Sequence, residues 1–99
     1  MPNFRKDPKK ILENVSPDKI FFVCDGSTLS NIKDLSNALK TMNDGTFSYH
    51  ANQQKNDFSN WITDVLHDPA LGKKIRYLNK VNTQKEIEKR IRELEKKLK

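Results

Sequence analysis

Between Phe58 and Leu66 five apolar side chains, Phe58, Trp61, Ile62, Val65 and Leu66, fall at i, i+3, i+4, i+7 and i+8. This spacing gathers all of them on one stripe of an α-helix and on neither face of a strand. A 99-residue chain that is 34% apolar can build one modest core, so this stripe has to face it and the other elements must close around it. Asn56 or Asp57 supplies the helix cap.

The remaining elements follow from the same periodicity and its punctuation. Asp7-Pro8 starts a short helix with Ile11, Leu12 and Val15 on one face, and Ser16-Pro17-Asp18 interrupts it. Ile20 to Val23 reads as a strand entering a turn at Asp25-Gly26, with Ser27 to Leu29 returning. Ile32, Leu35, Leu39 and Met42 define an amphipathic helix capped by Ser30 or Asn31. Phe47 to Ala51 forms a short helix capped by Asp44, and Gln53 to Asn56 a loop. Asp68-Pro69 begins a helix presenting Leu71, Ile75 and Leu78. Asn79 to Asn82 reads as a break, after which Thr83 and Glu86 match a capping box for a last helix carrying Ile87, Ile91, Leu94 and Leu98.

The expected fold is therefore mainly α: a compact bundle of about five or six short helices with a small β-hairpin near residues 20–30. Residues 1–82 are expected to form one small globular domain, and 83–99 a basic C-terminal helix docked on it or on a partner. Trp61, Phe58, Leu39, Leu35 and Phe22 are expected to be buried together.

Several of these positions recur as a set: Phe22 and Asp25-Gly26, Leu35 and Leu39, Phe47-Ser48-Tyr49-His50 and Asn52, Asn56-Asp57-Phe58, Trp61-Ile62, Asp64-Val65 and Asp68. In this the chain resembles a small domain family of archaea and bacteria with no established function. The resemblance covers roughly half of the chain and implies no activity. The basic ends lie outside it.

The stretch from Thr46 to Trp61 concentrates His50, Asn52, Asn56 and Asp57. Structural metal sites take three or four ligands in fixed geometry. The soft ligands here, Cys24, His50 and His67, are scattered. A Cys24–His50 nucleophile–base dyad is conceivable, yet no third orienting residue or oxyanion-hole motif accompanies it. Asp25-Gly26 is not followed by a phosphate-binding glycine loop. The four polar residues are better read as a hydrogen-bonded joint fixing the angle between short helices, with no catalytic residue, metal or cofactor.

Charge is strongly segregated. Residues 1–10 sum to +3, 11–72 to −4 and 73–99 to +7, within a net charge of +6. The single cysteine excludes an internal disulfide, and no apolar run approaches a membrane span, so the expected compartment is the cytoplasm. The last helix offers Glu86–Arg90, Glu88–Arg92, Glu93–Lys97 and Glu95–Lys99 as i, i+4 pairs. These leave Lys85, Lys89 and Lys96, which join Lys73, Lys74, Arg76 and Lys80, and Arg5, Lys6, Lys9 and Lys10 at the other end. If the ends converge they form one basic surface suited to nucleic acid or a ribonucleoprotein. Tyr77 lies among these cations as a candidate for base stacking or for the core.

Two functions are thus expected of a non-enzymatic module. One is electrostatic association with nucleic acid. The alternative is a protein-interaction module whose last helix pairs with a partner or with itself. Where Ile87, Ile91, Leu94 and Leu98 point discriminates between them. An anionic membrane surface is a weaker option, since the last helix lacks an aromatic anchor.

Overall fold

A computed structural model describes residues 8–98. The Asp7 cap, Arg5 and Lys6 lie outside the described residues. Six α-helices and a two-stranded hairpin are present among them: α1 (Pro8–Leu12), β1 (Phe21–Phe22), β2 (Thr28–Leu29), α2 (Ile32–Thr41), α3 (Asp44–His50), α4 (Asp57–Asp64), α5 (Pro69–Ile75) and α6 (Lys80–Lys97). A single 3-10 turn, Pro17–Lys19, precedes the hairpin. Among the described residues no helix is long and apolar enough to cross a membrane. The mainly helical architecture and the hairpin agree with the periodicity.

The hairpin is antiparallel, pairing Phe21 with Leu29 and Phe22 with Thr28. Gly26 closes it at φ +98°, a left-handed conformation that favours glycine. Strand alternation decides which phenylalanine enters the core. Phe21 and Val23 point inward, and Phe22 is 71% exposed. The expectation of a buried Phe22 is therefore wrong by one residue: the period of two assigns that place to Phe21.

Phe21 stacks on Phe58 at 5.1 Å between centroids and meets Trp61 edge-on at 5.7 Å. Leu35, Leu39, Ile62, Ile75 and Ile87 fill the same cluster. The Trp61 indole N–H donates to the Lys19 carbonyl at 2.8 Å, tying α4 to the segment ahead of the hairpin. Helix α4 packs on α5, and α6 packs on α2, α5 and α1.

Asparagine caps most of the helices. Asn31, Asn43, Asn56 and Asn79 accept from the third residue on in α2, α3, α4 and α6, and Asp68 does so for α5. Two starts thus differ from the sequence reading. Asn43, not Asp44, caps α3. Asn79 caps α6, so the helix begins at Lys80 and no break precedes Thr83. Asparagine is as good a cap as threonine or better, and the earlier start adds a turn of helix. Thr83 instead lies inside the first turns, fully buried, its hydroxyl donating to the Leu78 carbonyl at 3.4 Å.

Smaller departures concern helix ends. Helix α1 stops at Leu12, and Val15 follows it half-buried, with its N–H on the Ser30 carbonyl at 2.8 Å. Thr83, Ile87, Ile91 and Leu94 of α6 are buried within the chain, whereas Leu98 is 51% exposed beyond the last turn.

Candidate functional site

His50 ends α3 and is 4% exposed, walled by Phe21, Phe58 and Tyr49 at 4.9–5.3 Å between ring centroids. Its Nε2 accepts the backbone N–H of Cys24 at 3.0 Å. An accepting Nε2 carries no proton, so the ring is neutral and Nδ1–H donates to Asp57 Oδ2, 3.0 Å away. Lys55 reaches the same oxygen at 3.1 Å. Burial works against the Asp57 carboxylate, but the bonds from His50 and Lys55 more than offset it and hold its pKa below the ordinary value.

Asn56 works on both sides of its own helix. Its Oδ1 caps α4 by accepting from Ser59 N–H at 2.9 Å. Its Nδ2 donates to the carbonyls of Ile75 and Arg76 at the end of α5, at 3.3 and 3.1 Å. Asn52 organises the loop between α3 and α4, accepting from Gln54 and Lys55 N–H and donating to the Ser48 carbonyl. The four polar residues singled out in the sequence therefore bond hairpin, α3, α4 and α5 to one another.

Asp57 is the orienting partner that the sequence did not reveal for a Cys24–His50 dyad, but the bond to the Cys24 N–H weighs against one. The nitrogen that would take the thiol proton is already occupied by the Cys24 N–H. Among the described residues no group of three or more His, Cys, Asp or Glu is disposed to hold a metal.

The candidate cations divide into two groups. Arg76 and Lys80 are committed to the fold. The Arg76 guanidinium donates to the carbonyls of Asn52 and Gln53 at 3.1 and 3.3 Å and lies 4.4 Å from the Tyr77 ring centroid. Lys80 donates to the Met42 carbonyl at 2.6 Å and pairs with Asp44 at 3.0 Å. Lys74 is exposed but pairs with Glu86 at 3.6 Å. Lys73 is exposed on α5, and Lys9 and Lys10 are exposed on α1, which packs against α6 and so brings the described part of the N-terminal basic segment to the C-terminal helix.

Lys85, Lys89 and Lys96 are also exposed, and Arg92 joins them. Their spacings of four, three and four put them on one stripe of α6, opposite Thr83, Ile87, Ile91 and Leu94. The stripe is roughly 16 Å long at 1.5 Å per residue. Three of the four acids of α6 turn back to the body, and Glu93 stays exposed. Glu86 meets Lys74, Glu88 meets Lys40 at 3.7 Å and Glu95 meets Lys33 at 2.6 Å. Arg90 reaches Asp68 at 2.8 Å and Glu93 at 3.4 Å rather than Glu86. Of the i, i+4 pairs read from sequence, Glu88–Arg92 forms, at 2.5 Å, and Lys99 of the Glu95–Lys99 pair lies outside the described residues.

The Glu88–Arg92 pair expected from the sequence forms, yet Arg92 also lies on the exposed face and completes a stripe that the pairing obscures. The spacing that reveals the apolar seam also reveals it. Tyr77, left open between stacking and core, is 80% exposed. Beside it an open-sided groove of about 380 Å³ runs between α3 and the α5–α6 connection.

Residues 23–98 match the model of a family of unknown function (DUF5752), and the chain belongs to that family. No curated protein and no solved structure matches it.

Proposed function

We propose that this member of the DUF5752 family is a small non-enzymatic binding module that associates electrostatically with nucleic acid or a ribonucleoprotein surface through the outer stripe of α6. The observation that carries the reading is the sorting of charge around that helix. Glu86, Glu88 and Glu95 meet lysines of α5 and α2, while Lys85, Lys89, Arg92 and Lys96 lie exposed in a row, with Arg92 sharing Glu88 and Glu93 exposed beside them. Phosphates along one duplex strand recur about every 3.4 Å, so a row of roughly 16 Å matches four or five of them. The pairing alternative loses its main support because Ile87, Ile91 and Leu94 are consumed by the chain's own core.

Neutralising phosphates releases counterions, so binding should weaken steeply with salt, by about 0.7 to 0.9 in log–log slope per phosphate. The test compares the parent with the variant Lys85→Gln, Lys89→Gln, Arg92→Gln and Lys96→Gln, which keeps good helix formers. Its binding to mixed-sequence nucleic acid should be much weaker and its salt slope shallower by up to about 3.6. A parent without salt-sensitive binding, or a variant binding as tightly as the parent, defeats the proposal. Reversal of Arg76 and Lys80 is a poorer test, because both hold backbone carbonyls.

A further inference from the structure

We infer that the groove beside Tyr77 seats one unpaired base of a single-stranded nucleic acid; this rests on the electrostatic reading above and specifies its ligand. Tyr77 follows α5 and precedes α6, and at 80% exposure it contributes almost nothing to the core. Its ring is nevertheless held in place. The Arg76 guanidinium lies over it at 4.4 Å, and that guanidinium is itself fixed by the carbonyls of Asn52 and Gln53. The Arg76 carbonyl is held in turn by Asn56. A ring backed by an immobilised planar cation has little freedom left to lose when a second flat group stacks on it.

The groove suits a base better than a bare anion. Phe47, Ala51 and Leu78 contribute apolar surface, and Gln53 brings a side-chain amide able to meet the hydrogen-bonding edge of a base, the Asn52 amide being engaged within the loop. Asp44 also lines the groove and already engages Lys80 at 3.0 Å, so a phosphate there would meet a carboxylate and a spent cation. Phosphates are better served by the stripe that begins at Lys85, little more than a turn beyond Lys80 on the same helix. A duplex cannot use the ring, because the faces of its bases are already stacked on one another. Stacking on a protein aromatic is worth most to an unpaired strand and tolerates any base.

Fluorescence anisotropy with a labelled oligothymidylate of about 12 nucleotides, and with a mixed-sequence duplex of equal length, tests this. The parent should bind the single strand more tightly than the duplex. Tyr77→Ala should weaken single-strand binding roughly 5- to 100-fold and leave duplex binding unchanged. Tyr77→Phe should bind like the parent and Tyr77→Trp at least as well, while the four-glutamine stripe variant loses both ligands. Tyr77→Ala that binds the single strand like the parent, or that loses both ligands equally, overturns the inference and leaves the electrostatic reading standing. Neither probe binding in a salt-sensitive way overturns both. Polyglutamate that displaces the single strand at equal charge concentration also overturns the base seat, since it offers no ring to stack.

Discussion

The hydroxyl of Ser59 donates to the carbonyl of Gly72 at 2.6 Å, across the contact between α4 and α5. That approach depends on residue 72 having no side chain. A Cβ there would stand 2.1 Å from Thr63 Oγ1 and 2.9 Å from the Ser59 carbonyl. Gly72→Ala should therefore destabilise the fold by about 1–3 kcal/mol despite alanine's better helix propensity. Pairing it with Thr63→Ala should recover part of the loss but not all, because the backbone contact remains. Urea melts of the parent and the two variants measure this; a Gly72→Ala protein as stable as the parent would show that the helices can part without cost.

Asp68 caps α5 with one oxygen and holds Arg90 of α6 with the other, and its side chain is 3% exposed. Arg90→Met strands that buried carboxylate and should cost roughly 3–5 kcal/mol. Asp68→Asn in the Arg90→Met background removes the stranded charge and keeps a capping oxygen, so the double variant should be more stable than Arg90→Met alone. A double-mutant cycle by chemical denaturation decides; simple additivity would mean that the two residues are not coupled.

Trp61 sits 7% exposed against Phe21 with its indole N–H satisfied. Trp61→Ala should cost about 3–5 kcal/mol, a large share of a small domain's stability. Trp61→Phe, which keeps a ring but loses the bond to Lys19, should cost much less. Melting temperatures give the comparison, and an alanine variant that melts with the parent would remove Trp61 from the core.

Asp57 links stability to acidity. Its folded pKa is lowered, so the carboxylate favours the fold above its ordinary unfolded value, near 4, and that contribution disappears as pH falls through the lowered folded value. Asp57→Asn should flatten the loss of stability below about pH 4 relative to the parent. His50→Asn should lower stability at neutral pH by about 1–3 kcal/mol by disturbing the acceptor for Cys24 N–H. Denaturation midpoints across pH report both. An Asp57→Asn profile superimposable on the parent's would mean that this carboxylate is not a contributor.

Much of the architecture was legible because helical periodicity and cap chemistry agree along most of the chain. Phe58 to Leu66 and Ile32 to Met42 announce themselves, and the Asn56, Asn31 and Asp68 caps stand where a cap is needed. The errors arose where two devices competed within a few residues. Asn43 and Asp44 are both good caps, as are Asn79 and Thr83, and only packing selects between them. For Phe21 and Phe22 a run of four strand-forming residues gave no alternation from which to read the inward face. The polar joint was legible as a cluster, because its residues are close in sequence. Its partners were not: Cys24, Ile75 and Arg76 lie 19 to 26 residues away. The pairing of Glu95 with Lys33 and of Arg90 with Asp68 likewise depends on how α6 crosses the body.

The bonds between Arg76 and the α3–α4 loop run in both directions. The side chain of Arg76 holds the main chain at Asn52 and Gln53, and the side chain of Asn56 holds the main chain at Arg76. Neither segment can detach while the other stays in place without breaking bonds of both kinds. The loop and the end of α5 therefore open as one cooperative unit, and a molecule resting on Tyr77 would slow amide exchange in residues 54–56, beyond the groove it occupies, as well as in its own neighbourhood.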